Sequence, residues 1–545
     1  MNLALLAFAL IALAAATGLL SRYVPRLPLP LMQVAIGAGL AISGLDGFQV
    51  SLEPELFMLL FVPSLLFADG WRLPKREAFQ LRGQILLHAF LLVLVNVLLI
   101  GYLLHWLRPD IPLWAAFALG SVLSPTDAVA VAAISQRVRI PRTLQHILQG
   151  EALLNDASGL VALKFSLLAS IGAFTIGGAA LNVLLVSVAG AGIGVVLAYV
   201  YGRLRTVLAE ADGSTTRPLV LLLVLLPFGA YYLAESLHLS GTLAAVGAGV
   251  MMSYADPKHD DNAALRLQAG NFFDLFSYVL NGIIFLLLGL QVPRVLDAGM
   301  RAAEVHGHSA LHLLTLVLGV TLALLVIRLA WGWGEAKLAR FGKGGKGGMG
   351  SLQNKPMPGM RVLLAHTVAG IRGAVTLAAA ISLPLQIGKG MPFPARDELI
   401  LIAGGVIILT LLTAAVCLPV LLRGMPEEDQ KAVEQERAEA AVKASHAAIS
   451  AIASEPGLER RGGAGDNNVV KVVTEQYQQR IDAEKQELSS DADPEHDHHM
   501  TKQARLVGLR AEREELHRLH AAGEINDETL LELRKPLDLA EESLR

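Results

Sequence analysis

Up to about residue 422 the chain is a succession of apolar runs near bilayer-spanning length. They fall at roughly 2–20, 27–44, 54–70, 84–107, 111–134, 144–171, 178–202, 217–237, 239–253, 271–292, 309–333, 360–386 and 397–422. In lipid every backbone N–H and C=O must be satisfied within the protein, so runs of this length can only be helices or strands of a closed barrel. Runs of this length are read as transmembrane helices. The reading is an all-α polytopic membrane protein of about thirteen transmembrane helices, or twelve if the short 239–253 run is a half-span. With 53% hydrophobic and 17% charged residues, the composition excludes an ordinary soluble domain. The first run lacks a basic leader segment and is read as a span, not a signal peptide. Cys417, the single cysteine, lies inside a run, so no intramolecular disulfide framework exists.

Orientation follows from lysine and arginine in the connections. Alternate connections starting at Arg22 and Arg26 hold twenty of them; the opposite set holds Arg108, Arg294, Arg301, Lys389 and Arg396. The expectation is a multi-pass protein with its N-terminus outside and its C-terminus cytoplasmic. The Gly- and Lys-rich 341–359 segment reads as a solvated cytoplasmic linker that can also touch anionic lipid. Residues 423–545 form a charged cytoplasmic tail without spans, with helical stretches near 427–453, 468–488 and 502–543. His496, His498 and His499 fall between the last two and read as an exposed polar linker in preference to a metal site.

The informative residues are polar ones at membrane depth. The segment Gln149-Gly-Glu-Ala-Leu-Leu-Asn-Asp-Ala-Ser-Gly159 sits inside the sixth run. A carboxylate at the bilayer centre costs at least about 2.5–3.5 kcal/mol, so Glu151 and Asp156 each need a partner or a wet cavity. At about 100° per residue Glu151 and Asn155 share a face while Asp156 is turned away, so the two acids serve different surfaces. Arg328 in the eleventh run is available to Glu151, or else snorkels to the cytoplasmic interface. Lys164 reads as snorkelling toward the outer side. In the fifth run, Ser124-Pro125-Thr126-Asp127 should break the helix before the proline, and Asp127 has the charge to cap the exposed half-helix ends. In the twelfth run Arg372 stands between Gly370 and Gly373, where the backbone is easily unwound. Two interrupted spans, one per half, point to inverted repeats with a midplane site between them. Asp69, at the end of the third run, reads equally as a solvated helix end or a residue on an ion path. Asn96, Asn281 and His366 read as single interhelical hydrogen-bonding groups.

These motifs resemble those of the monovalent cation:proton antiporter family of NhaP- and NHE-type sodium/proton exchangers. The matching pieces are Ser-Pro-Thr-Asp-Ala at 124–128, Gly-Glu-Ala-Leu-Leu-Asn-Asp at 150–156 and Gly-Ile-Arg-Gly-Ala-Val at 370–375. The resemblance covers residues 1 to about 422, and the ending from Gly523 to Glu542 is similar to tails of bacterial members. It implies two broken crossing helices and a transmembrane exchanger domain over 1–422. A mobile core would take about 84–171 and 309–422, and a dimerisation part about 1–70 and 217–292. It implies that Asp156 binds cation and proton, with Asn155 beside it, Thr126 as a ligand and Asp127 as dipole compensator. Glu151 would pair with Arg328, and Arg372 would sit at the second break. Ala152 stands where members often carry serine, which removes one side-chain oxygen, and Asp69 is one place out of register with the family's third-span acid.

The function so implied is secondary exchange of Na⁺ (or Li⁺ or K⁺) for H⁺ by alternating access in a bacterial inner membrane, as a homodimer. Burial favours the protonated form of a carboxylic acid, so one carboxylate can take either ion in turn. The Asn-Asp pair, where electrogenic relatives carry Asp-Asp, implies electroneutral exchange. A K⁺/H⁺ antiporter of the same fold is the alternative reading, and a cation channel the one from another class. No nucleotide loop, nucleophile triad or metal-ligand cluster points to an enzyme; no cofactor and no nucleic-acid partner is expected. The partners expected are the ions, membrane lipid and a regulator of the tail.

Overall fold

The computed structural model describes residues 3–24, 27–43, 59–135, 140–170, 176–209, 216–254, 263–305, 309–341, 359–387, 391–423, 428–454, 471–479, 481–482, 494–522, 529–530, 533, 537 and 540–541. Two compact units emerge, residues 1–425 and 426–545.

In the first unit the elements are α1 (Leu3–Leu20), α2 (Leu29–Ile42), α3 (Val62–Arg72), α4 (Lys75–Gln80) and α5 (Arg82–Leu86). A π-helical turn, Leu87–Leu92, joins α5 to α6 (Val93–Leu107). Then come α7 (Leu113–Leu123), α8 (Ala128–Ser135), α9 (Arg142–Ser170), α10 (Ile176–Ala209), α11 (Thr216–Ser236), α12 (Gly241–Tyr254), α13 (Ala263–Val305) and α14 (Ala310–Phe341). The last are α15 (Met360–Val368), α16 (Ala374–Ile381), a two-residue hairpin of β1 (Gln386–Ile387) and β2 (Met391–Pro392), and α17 (Arg396–Leu422). The predicted runs are helical over most of their described residues, the fifth and twelfth being interrupted. Among those residues seven helices are long and apolar enough to cross a membrane, with shorter apolar helices such as α2, α7 and α12 between them. The protein is a helical, polytopic membrane protein, as its apolar runs require.

The boundaries moved where polar flanks favour helix. The tenth run, expected over 271–292, lies within α13, which continues through Arg294 and Arg301 with Pro293 inside the helix. At about 1.5 Å per residue α13 is roughly 65 Å long, about twice the hydrocarbon thickness. Likewise α14 carries Lys337 beyond the predicted end of its run; that ammonium lies 3.7 Å from the Trp333 ring centroid.

Packing sorts the helices by shared cores. One core joins Ile100 and Leu104 of α6, Leu119 of α7, Val320 of α14, Ala380 of α16 and Val406 of α17. Another joins Phe67 of α3, Ala198 of α10, Ala230 of α11 and Ala248 of α12. A third draws on α2, α8, α13, α15 and α17 through residues such as Val34, Ile134, Phe285, Ala365 and Leu411. Large side chains on α1, α6 and α10, among them Phe8, Leu94, Val196 and Val200, are exposed, as lipid-facing residues are.

The second unit contains α18 (Glu428–Ser454), a helical segment at 471–479 and α19 (Pro494–Ala521). The third tail helix therefore starts earlier than expected. Pro494 occupies its first turn, where a missing N–H costs nothing, so the backbone at 496–499 is helical and not a linker. An Arg513–Glu541 ion pair of 2.5 Å holds α19 to the following segment. Most of the ending from Gly523 to Glu542 lies outside the described residues.

Candidate ion site

The two interrupted runs break where expected and touch at their breaks. Pro125 has no N–H, and residues 125–127 are non-helical between α7 and α8. Ser124, expected to leave the helix, keeps helical angles (φ −73°, ψ −37°). Its hydroxyl donates to the Ser121 carbonyl at 2.9 Å and holds it in the last turn, so the break falls after it. Residues 369–373 form the second break, between α15 and α16. The Asp127 N–H donates to the Ile371 carbonyl at 2.8 Å, which joins one break to the other.

Four half-helix ends meet there, and two charges serve them. The Asp127 Oδ1 atom accepts from the N–H groups of Val129 at 2.9 Å and Ala130 at 3.1 Å, capping α8. Its Oδ2 atom lies against Gly373 at the start of α16, in space that a Cβ there would fill. One carboxylate thus faces two positive helix ends. Arg372 is the counterpart. Its Nε donates to the Leu123 carbonyl at the end of α7, at 2.8 Å, and its Nη1 to the Gly370 carbonyl just past α15. One guanidinium thus faces two negative ends, and it is 1% exposed.

The buried pair forms as well. Arg328 Nη1 and Nη2 donate to Glu151 Oε1 at 2.5 Å and Oε2 at 2.7 Å, a bidentate arrangement. Arg328 Nε donates to the His366 carbonyl at 3.0 Å, and the residue is 2% exposed, so it does not snorkel. Gly370 lets this side chain pass; a Cβ there would lie 2.7 Å from the Arg328 Cδ.

Asp156 faces elsewhere, as helix geometry requires. It lines a cavity of about 290 Å³ together with Asp69, Thr126, Asp127, Gln149 and Asn281. That volume far exceeds the ~30 Å³ share of one water. Asp69, near the end of α3, therefore faces this cavity. Arg72 also reaches the cavity wall and pairs with Asp274 of α13 at 2.5 Å. Ala152 lines the cavity with no side-chain oxygen to offer. Asn155 is not among the lining residues. Its Nδ2 donates to Thr126 Oγ1 at 2.8 Å, and Thr126 Oγ1 donates to Glu151 Oε1 at 3.3 Å. Thr126 thus belongs both to the cavity wall and to the Glu151 network. Lys164 is exposed on the far part of α9.

Several participants escaped the sequence reading. Gln149, Ser277 and Asn281 line the cavity; Asn281 had read as an interhelical hydrogen bond. His366 approaches Arg328 through Nε2 at 3.4 Å, and His88 packs edge-on against His366 at 5.1 Å. Arg108, counted as a loop charge, is 1% exposed and pairs with Glu398 at 2.7 Å, tying the α6–α7 connection to the start of α17. A single polar residue in an apolar run carries no direction in sequence, so the spacing of these residues gave no signal.

Comparison with known proteins supplies the family. The model of the transmembrane sodium/hydrogen exchanger family matches residues 7–424. The chain is 39% identical over 537 residues to YjcE, an uncharacterized Na⁺/H⁺ exchanger of Escherichia coli, covering 96% of each protein. It is 36% identical over 538 residues to a sodium, potassium, lithium and rubidium/H⁺ antiporter of Bacillus pumilus, covering 98% of this chain and 77% of that one. In fold it is similar to the sodium proton antiporter MjNhaP1 of Methanocaldococcus jannaschii, with a TM-score of 0.53 at 18% identity, over 77% of this chain and 98% of that one. With the family model spanning nearly all of its helical membrane unit, the chain belongs to the transmembrane sodium/hydrogen exchanger family.

Proposed function

We propose that this protein exchanges a monovalent alkali cation for a proton, with the Asp156 carboxylate as the shared site. The observation that carries this reading is the position of Asp156. It faces a cavity, lined by apolar side chains and by Asp69, Thr126 and Asp127, at the meeting point of two broken helices, while the nearby Glu151 is neutralised by Arg328 and so has no charge to spare. A cation and a proton at one carboxylate exclude each other, and only the neutralised site crosses a low-dielectric barrier cheaply. Thr126 and Asp127 contribute oxygen atoms to the same wall, and Asp69, Gln149 and Asn281 line the approach.

The B. pumilus relative carries sodium, potassium, lithium and rubidium in its name, which supports a broad cation range here, Na⁺ included. One titratable acid beside Asn155 supports electroneutral exchange. The lysine and arginine bias supports an N-terminus outside the bacterial inner membrane and a cytoplasmic tail. By the family resemblance the protein acts as a homodimer whose dimerisation part is about 1–70 and 217–292, with a mobile core over about 84–171 and 309–422. The tail after residue 423 is a docking element for a regulator. As a member of a transporter family the protein does carriage, and the proposal assigns it no catalysis.

The test is a pH dye in proteoliposomes, with an imposed proton gradient and no voltage. Added Li⁺, Na⁺, K⁺ or Rb⁺ should each be scanned for dequenching. Saturable dequenching by at least one cation is expected, with apparent KM rising as pH falls. Flux that needs a voltage and does not saturate would instead indicate a channel.

A further inference from the structure

The rim of the cavity carries a positive charge that the ion-binding arrangement does not use. Arg72, in the last turn of α3, lines the same cavity as Asp69, Thr126 and Asp156. A guanidinium stays charged at every working pH, so it competes with an incoming cation for any carboxylate it can reach. Two carboxylates qualify. Asp274 of α13 accepts from Arg72 Nη2 at 2.5 Å. Asp69 stands three residues earlier on α3, and side chains at that spacing are neighbours on a helix, here with the acid on the favoured N-terminal side.

Asp274 is placed to decide between the two. It heads a stripe of α13 on which Ser277, Asn281 and Ile284 follow at helical spacing, and those three line the cavity. The backbone around the pair is fixed by aromatic packing. Trp71, next to Arg72, meets Phe273, next to Asp274, edge-on with centroids 5.5 Å apart, and Phe67 lies 5.2 Å from Phe273. Phe67 and Phe273 are buried, whereas the side chains of the ion pair are open to solvent, Arg72 at 42% and Asp274 at 69% exposed. The rings therefore hold α3 to α13, and the exposed pair adds little to stability. What the pair sets is the direction of one long, flexible side chain.

We infer that Asp274 is a positioning residue: it draws the Arg72 guanidinium to the rim and so keeps Asp69 available to attract the transported cation. The inference rests on the exchange reading for the ion that uses the cavity. Without Asp274, Arg72 turns to Asp69 and neutralises it, and a cation entering the cavity meets a weaker attraction. The turnover step at Asp156 is left as it was, so the effect falls on KM and not on the maximal rate.

The test compares wild type, Asp274→Asn, Arg72→Gln and the double variant in proteoliposomes, with Na⁺ as the cation. Asp274→Asn should raise the apparent KM about two- to fivefold, the range that an exposed ion pair spans, at an unchanged maximal rate. In the Arg72→Gln background the same change should leave KM unaltered, because no guanidinium remains to be released. An unchanged KM in Asp274→Asn overturns the inference. So does an equal rise in both backgrounds, which would mean that Asp274 attracts the cation directly. If wild-type flux does not saturate, the exchange reading fails first, and the four proteins are compared in detergent by Na⁺-dependent thermal stabilisation at an ionic strength held constant with choline. There the half-saturating Na⁺ concentration should rise on Asp274→Asn only where Arg72 is present. A rise in both backgrounds, or in neither, overturns the inference from binding alone.

Discussion

At the scale of single residues, the membrane interior makes each charge a problem that a named partner has to solve. Glu151 and Arg328 solve it mutually, through two hydrogen bonds between two nearly unexposed side chains. Removing one member strands the other, so Arg328→Ala and Glu151→Ala should each cost about 3–5 kcal/mol. The double variant should lose less than the sum, measured by thermal unfolding in detergent. Additive losses would contradict the pairing. Charges of this kind were the legible part of the site. Glu151, Asp156, Asp127, Arg328 and Arg372 stand out against apolar neighbours, and helical spacing alone separates the faces of Glu151 and Asp156. His88 and Asn281 were not legible, because their roles depend on which helix lies opposite. Arg108 was hidden for a related reason: it borders an apolar run and reads as a connection until Glu398, 290 positions away, closes on it.

At the scale of elements, the two breaks form one unit. Asp127 faces the N-terminal ends of α8 and α16, and Arg372 the C-terminal ends of α7 and α15. Proline and glycine chemistry showed where the runs would be interrupted. The hydrogen bond from Asp127 to Ile371 was not legible, since it joins segments more than two hundred residues apart. Asp127→Ala leaves both N-terminal ends without their anion and should cost about 1–2 kcal/mol, whereas Asp127→Asn keeps an acceptor for the α8 cap and should cost less. Equal losses for the two substitutions, read from thermal unfolding, would show that the carboxylate acts here by charge alone.

At the scale of the whole molecule, a membrane unit and a helical tail share one chain. The apolar runs dictated the helical class, but polar flanks extended α13 and α14 beyond the hydrocarbon length, and hydropathy does not register such extensions. If the tail regulates a self-sufficient exchanger, deletion after Arg423 should leave saturable exchange in proteoliposomes, with its pH dependence or maximal rate altered. Complete loss of exchange from a folded truncated protein would place the tail within the transport machinery.

The claim on which the account turns is that Asp156 carries both ions. Asp156→Asn keeps the shape of the side chain and removes both the negative charge and the titratable proton. Reconstituted at equal density and given a cation gradient, the folded variant should show no cation-dependent proton flux above protein-free liposomes, beside robust flux in the wild type. Saturable proton exchange by Asp156→Asn would mean that the shared site lies elsewhere in the protein.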